Sequence, residues 1–236
     1  MSESIWSFMK NNILIVESKN DKHFVEALVK WMNISDQFSA ESLCIDEYEC
    51  LGGLNLKNLT SHIDTIAKKT NKQGIGSIGI LVDADSESLK DRLAMISKAV
   101  SDGFADTINI AESGKFYQFK YDNCNFQIAC ELMNVNGKGE LETVLKAIKK
   151  KDSVHADCMD VWRDCLTKNE IVLSVKEFDK FWIQVYQRYD CCDKDEREQA
   201  GKECNDVRSY EKNIYDFGHD LLKNLREFLT KLSDNS

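Results

Sequence analysis

The chain of 236 residues contains no proline at all. That removes the usual rigid stop for helices and strands, so boundaries have to be read from glycine and from hydrophobic periodicity. Long apolar runs are missing too. None approaches the roughly 18–20 residues that a membrane-crossing helix requires, so no membrane partner is expected. An excess of positive charge is also lacking: 31 Lys and Arg face 40 Asp and Glu, a net charge of −9. That balance argues against a simple electrostatic clamp on nucleic acid. Two ways round it stay open, a bound divalent cation that reverses the local sign and a partner subunit that supplies basic surface. The opening "MSESIWSFMK" has no basic stretch followed by an apolar one, so it does not read as a secretory leader. The nine cysteines are odd in number, scattered, and never in the paired C-x-x-C spacing of a zinc site. Reduced thiols in the cytoplasm are the expectation.

What is present is ordinary globular composition, 42% hydrophobic and 30% charged, enough for one well-buried α/β core with additions. "NILIV" (12–16) reads as a strand and "NDKHFVEALVKWM" as a helix with Phe24, Leu28, Trp31 and Met32 on one face, capped by Asn20 or Asp21. Leu43, Ile45 and Tyr48 suggest a second strand closed by Gly52-Gly53, and Leu56, Leu59, Ile63 and Ile66 a second helix. "GSIGILVDAD" supplies a third strand, and Leu89, Leu93, Ile96 and Val100 a third helix. Strand–helix repetition of this kind predicts a mostly parallel, Rossmann-like sheet with helices on both faces. After Gly103, "DTINI", "KFYQFKY" and "NFQIACEL" read as short strands. Helices are expected over 140–151, 153–167, 175–190 and 208–232, with a polar loop or weak helix at 190–206. Trp162 and Trp182 fall at helical spacing from other apolar residues and read as core. The division is an α/β domain over 1–145 and a helical C-terminal extension over 146–236 packed on it.

Two strand ends carry charge. The first strand runs into Glu17, and the third into Asp83-Ala84-Asp85. In open parallel sheets, ligands bind beyond the carboxyl ends of the strands. Alternation along an extended chain would point Asp83 and Asp85 the same way. Three converging carboxylates repel one another, and a hard cation such as Mg²⁺ or Mn²⁺ relieves that repulsion. Asp83 can also be read simply as a cap for the helix that follows.

"ILIVESKNDKHFVEAL", followed some sixty residues later by "IGILVDADSESLKDRL", resembles the Toprim domain of topoisomerases, bacterial primases and OLD-family nucleases. The strand ending in Glu17, with Asp21 and Phe24 in the next helix, is similar to that family's first motif; Asp83-x-Asp85 is similar to its second. "LGGLNLKNL" and "GKGELETVLKAI" resemble segments of small stand-alone Toprim proteins, and the latter places Glu142 as a further metal ligand. Ser18 stands where the family usually has glycine, a residue that permits positive φ or close backbone approach. The likeness spans about residues 11–150.

The resemblance implies Mg²⁺- or Mn²⁺-dependent phosphodiester chemistry in which Asp83 and Asp85 hold metal and Glu17 ligates or acts as acid/base. Asp21 reads equally as a helix-start residue, and Glu142 as a first-turn acid favoured by the helix dipole. Lys22 and Lys138 are candidates for a scissile phosphate. Lys146, Lys149, Lys150 and Lys151 form the most basic run and a candidate nucleic-acid contact, though each of these lysines reads equally as solvated. No signature marks a nucleophilic tyrosine, and gate or template domains are absent from the pattern. The expectation is therefore a nuclease on DNA or RNA. It resembles antiphage effectors that work beside an ABC- or SMC-type ATPase, with the helical part a docking or dimerisation surface in a homo-oligomer. The second reading is a non-catalytic regulatory subunit that binds metal or nucleotide.

Overall fold

A computed structural model describes residues 11–35, 37–43, 54–85 and 87–234. The N-terminal decapeptide, Cys44 to Gly53 and the Ile45, Tyr48 and Gly52-Gly53 expectations lie outside the described residues. The chain is an α/β fold. Strands β1 (Asn11–Val16), β2 (Ser39–Ser42), β3 (Ile75–Asp83), β4 (Tyr117–Tyr121) and β5 (Cys124–Met133) form one sheet in the order β2-β1-β3-β5-β4. All neighbours run parallel except β4, which is antiparallel to β5. The β4–β5 hairpin turns at Asp122-Asn123, with Asp122 at φ +50°.

Strand alternation sorts the sheet's side chains into two cores. On one face Ile13, Ile15, Ile78, Ile80 and Val82 meet α2 (Leu56–Gln73) and α3 (Leu89–Phe104). On the other, Leu14, Val16, Leu81 and Ala129 meet α1 (Lys19–Met32), α4 (Leu141–Ala147), α7 (Val175–Val185) and α11 (Lys223–Asp234). Every residue of β3 is buried, as expected of a central strand covered on both sides. A Cβ at Gly79 would stand 3.0 Å from side-chain carbons of Leu14 and Leu232, so this glycine lets α11 lie close on the sheet. Phe178, Trp182, Tyr186, Phe228 and Leu229 join Phe24 and Leu28 in a single core. Residues beyond 145 therefore share with α1 and α4 in covering one of the two faces of the sheet. Among the described residues no helix is long and apolar enough to cross a membrane.

Several expectations need correction. A strand, β2, lies at Ser39–Ser42, just ahead of Leu43. "DTINI" is not a strand. Ile108 and Ile110 are buried, but their backbone groups pair with Ser101 Oγ and Ser97 Oγ of α3 at 2.9–3.1 Å. Two serines one helical turn apart thus replace a neighbouring strand. The expected helix over 208–232 is broken. α10 (Asp206–Glu211) ends, and the chain turns so that Lys150 N donates to Ile214 O and Asp216 N to Ile148 O. That places Ile214, Tyr215 and Phe217 in the core before a 3₁₀ turn (Asp220–Leu222) leads into α11. The helix 153–167 is split into α5 (Val154–Asp157) and α6 (Met159–Lys168). A π-helical turn (Tyr186–Cys191) follows α7. The polar stretch 190–206 folds into α8 (Lys194–Glu198) and α9 (Ala200–Glu203). The Cα atoms of Cys192 and Cys204, on either side of α8 and α9, stand 6.2 Å apart, and the two form a disulfide, against the expectation of free thiols throughout. Trp182 is buried, whereas Trp162 stands at the surface, edge-on to Phe181 at 5.5 Å.

Candidate metal centre at the sheet edge

β1 runs into α1 on one face of the sheet, while its neighbour β3 runs into α3 on the other. This divergence is the topological switch point, the place where open α/β sheets leave a crevice at the carboxyl ends of their strands. Glu17 and Asp83 are the residues that the two strands deliver there.

Glu17 follows Val16 directly and is 8% exposed. Burial, with help from Asp21 and Asp85, pushes its carboxyl up to about 7 against the opposing pull of Lys176 and Arg92. Ser18, next in line, has φ −126°, ordinary extended backbone, so serine occupies the motif's glycine position without strain. It is also the N-cap of α1, correcting the expectation of Asn20 or Asp21. Ser18 Oγ accepts from Asp21 N at 3.2 Å, and Asp21 Oδ2 accepts from Ser18 N at 2.8 Å and Ser18 Oγ at 2.7 Å. This reciprocal capping box fixes Asp21 in a buried position, where desolvation raises its pKa. Phe24, one turn on, packs edge-on to Tyr210 and Phe217 and anchors the helix.

Asp83 ends β3 at 8% exposure. Its pKa lies well above the usual carboxylate range, first through burial, then through Asp21, Glu17, Glu142 and Glu140. Its Oδ1 is buried without a hydrogen-bond partner among the described residues. Asp83 is no helix cap: Ser88 fills that role for α3. Asp85 departs from the alternation expected of it. Its backbone turns to φ +53° and pairs with Gly139 in both directions at 3.0 Å. Its carboxylate is held by the Arg92 guanidinium and lies 3.4 Å from Lys176 Nζ.

Three participants escaped the sequence reading. Arg92 is 3% exposed, on the inward side of α3 beside Leu93 and Ile96, where a charge among apolar positions was the available signal. Glu140 precedes α4, 7% exposed, and burial pushes it up to about 7 despite Lys176 at 2.9 Å. Lys176 bridges Glu140 and Asp85 from α7; burial works against its ammonium, yet these two acids raise its pKa. No local pattern announces a contact spanning 91 residues. Glu142, in the first turn of α4, is raised by burial and sits within electrostatic reach of Asp21 and Asp83.

The structure thus brings Glu17, Asp21, Asp83, Asp85 and Glu142 to one edge, with Glu140, Arg92 and Lys176 added. The expected lysines lie otherwise. Lys22 is 3.9 Å from Glu26, and Lys138 is exposed on the turn that pairs with Val135. The run 146–151 is not one free strip. Lys146 binds Asp179 at 3.2 Å and lies over the Phe178 and Trp182 rings, and Lys149 bonds Ser153 at 2.6 Å. Lys150 bonds Asn213 at 2.7 Å, and Lys151 is exposed.

An oxygen-only donor set at a hard-cation site, with a buried carboxylate oxygen lacking a partner, fits Mg²⁺ or Mn²⁺. Among the described residues no three His, Cys, Asp or Glu side chains form a ready ligand group. Asp85 would first leave Arg92 and Lys176.

Fold and site define a Rossmann-like α/β protein with a carboxylate cluster at its switch point. The family model described as "Protein of unknown function (DUF3226)" matches residues 11–234, and the chain belongs to that family. No curated protein and no solved structure matches.

Proposed function

We propose that the protein is a metal-dependent nuclease of the Toprim type, hydrolysing phosphodiester bonds in DNA or RNA. The observation that carries this is Asp83, buried among acids at the switch point with one oxygen lacking a hydrogen-bond partner. Glu17 and Asp83 would hold the cation, with Asp21 and Glu142 beside them and Asp85 joining once released. When bound, Mg²⁺ or Mn²⁺ supplies charge stabilisation for a phosphate passing through its transition state. Burial holds the Glu17 carboxyl at about 7 without metal; a bound cation would lower it, so Glu17 enters the site as a ligand. Arg92 and Lys176, once Asp85 leaves them, would offer cations to phosphate oxygens. Homo-oligomerisation and pairing with an ABC- or SMC-type ATPase in antiphage defence rest on the resemblance of the motifs alone. Incubation of purified protein with plasmid DNA and with tRNA in Mg²⁺ or Mn²⁺ tests the reading. Cleavage lost in Glu17→Gln and Asp83→Asn supports it. No cleavage by wild type, alone or with the product of a neighbouring gene, sinks it, and equal cleavage by the variants signals a contaminant.

The salt bridges on Asp85 favour a second reading, a regulatory subunit that binds metal or nucleotide without turnover. Calorimetric Mg²⁺ binding with no hydrolysis of any nucleic acid would favour it.

A further inference from the structure

A groove of about 460 Å³ lies between α1 and the α10–Phe217 segment, beside the carboxylate site but separate from it. Its floor is aromatic: Tyr210, Tyr215 and Phe217 are 3%, 2% and 8% exposed, while Trp31 stands on its rim at 53%. The Tyr210 hydroxyl donates to Asn20 Oδ1 at 2.8 Å, which ties the floor to the first turn of α1, one residue from Asp21.

The charge of the groove is decided by which ions already have partners. Glu26 pairs with Lys22 and His23, Glu211 with Arg208 at 2.7 Å, and Lys212 with Glu196 at 2.8 Å. These cancel. Lys150 rests on the neutral Asn213 amide oxygen at 2.7 Å. Lys30 forms no salt bridge with any described residue, though it lies within electrostatic reach of Glu211. Two lysines outside any salt bridge among the described residues thus border an aromatic surface in a chain whose net charge is −9.

We propose that this groove binds single-stranded nucleic acid, one base stacking on Trp31 and the flanking phosphates resting on Lys30 and Lys150. Stacking on an exposed ring beside cations is how single strands are held without sequence preference. A duplex keeps its bases inside and would offer the groove phosphates only. An acidic peptide would offer charge without a planar ring. The inference rests on the nuclease reading for its substrate class and narrows it to single strands.

The test is fluorescence anisotropy of labelled single-stranded DNA and RNA 12-mers with the full chain in EDTA, where nothing is cleaved. Wild type binds; Trp31→Ala weakens binding about tenfold. Lys30→Glu with Lys150→Glu weakens it more and flattens the slope of log K against log salt by about 1.4, from two lost contacts at about 0.7 each. All three side chains are at the surface, and unchanged thermal melting confirms folded variants. Comparison of the DNA and RNA arms identifies the sugar. Absent binding, unchanged affinity in the variants, equal affinity for a duplex of the same sequence, or competition by a poly-glutamate peptide overturns the proposal. Hydrolysis of bis(p-nitrophenyl) phosphate in Mn²⁺ reads the carboxylates alone. Groove-dependent binding without that hydrolysis counts against the nuclease reading only. Hydrolysis without groove-dependent binding counts against the groove only.

Discussion

Removing the buried acid at Glu17 should stabilise the metal-free protein, in a way that depends on pH. Its carboxyl moves from an ordinary 4.5 to about 7 in the folded chain, chiefly through burial. Below pH 4.5 the acid is protonated in both states, so folding is indifferent to it. Between 4.5 and about 7 the unfolded chain ionises while the folded chain keeps its proton. The native state then binds more protons than the unfolded one, so stability falls as pH rises through this window. Above pH 7 the penalty is full. At about 1.4 kcal/mol per pH unit, it amounts to about 3 kcal/mol. Glu17→Gln keeps the shape and removes the ionisation. Urea unfolding in EDTA should find the variant up to about 3 kcal/mol more stable than wild type at pH 8, and within about 1 kcal/mol at pH 5. In a chain of this length that corresponds to a rise in melting temperature of roughly 6–12 °C. Equal stabilities at both pH values, or a variant less stable at pH 8, would refute the claim that the site holds a desolvated carboxylate.

Lys176→Met removes the ammonium that lies 2.9 Å from Glu140 and 3.4 Å from Asp85. Mn²⁺ titrated against it at pH 8 should bind several-fold tighter, because two carboxylates lose an internal competitor; weaker binding would mean that Lys176 organises the site instead. The double change Ser97→Ala, Ser101→Ala strips the partners from Ile108 and Ile110. It should cost about 1–3 kcal/mol per serine in urea unfolding, and a loss below about 1 kcal/mol in total would contradict that pairing. Gly103→Ala places a Cβ 2.6 Å from Ile63 Cγ2, where α2 crosses α3. Overpacking of about 1–3 kcal/mol is expected, and a neutral variant would show that the helices separate easily.

Strands β1, β3, β4 and β5 and the first three helices were legible because each depends on short-range pattern. "NILIV" and "GSIGILVD" are apolar runs, and Leu59, Ile63, Ile66 and Leu93, Ile96, Val100 fall at helical spacing. The pairing of Glu17 with Asp83 followed from one topological rule applied to two strand ends. Illegible parts depend on contacts between distant segments. The stretch from Ile214 to Phe217 leaves helical geometry because Ile214 and Asp216 pair with Lys150 and Ile148, just past α4, and no proline marks the break. Ser97 and Ser101 look like helix-surface serines until Ile108 and Ile110 fold against them. Asp85 follows strand alternation on paper, but its positive φ and its bridge to Gly139 turn it toward Arg92 and Lys176. Lys176 reaches the site from a helix that, in the sequence, belongs to a remote extension. Ser18, where the motif that this segment resembles has glycine, is a helix cap in relaxed backbone.

The central claim is that Glu17 and Asp83 together hold a divalent cation at the switch point. Anomalous scattering from crystals soaked in Mn²⁺ addresses it directly. The account predicts a peak between these two carboxylates in wild type and its loss in Asp83→Asn. A peak elsewhere, none at saturating Mn²⁺, or an unchanged peak in the variant would contradict it.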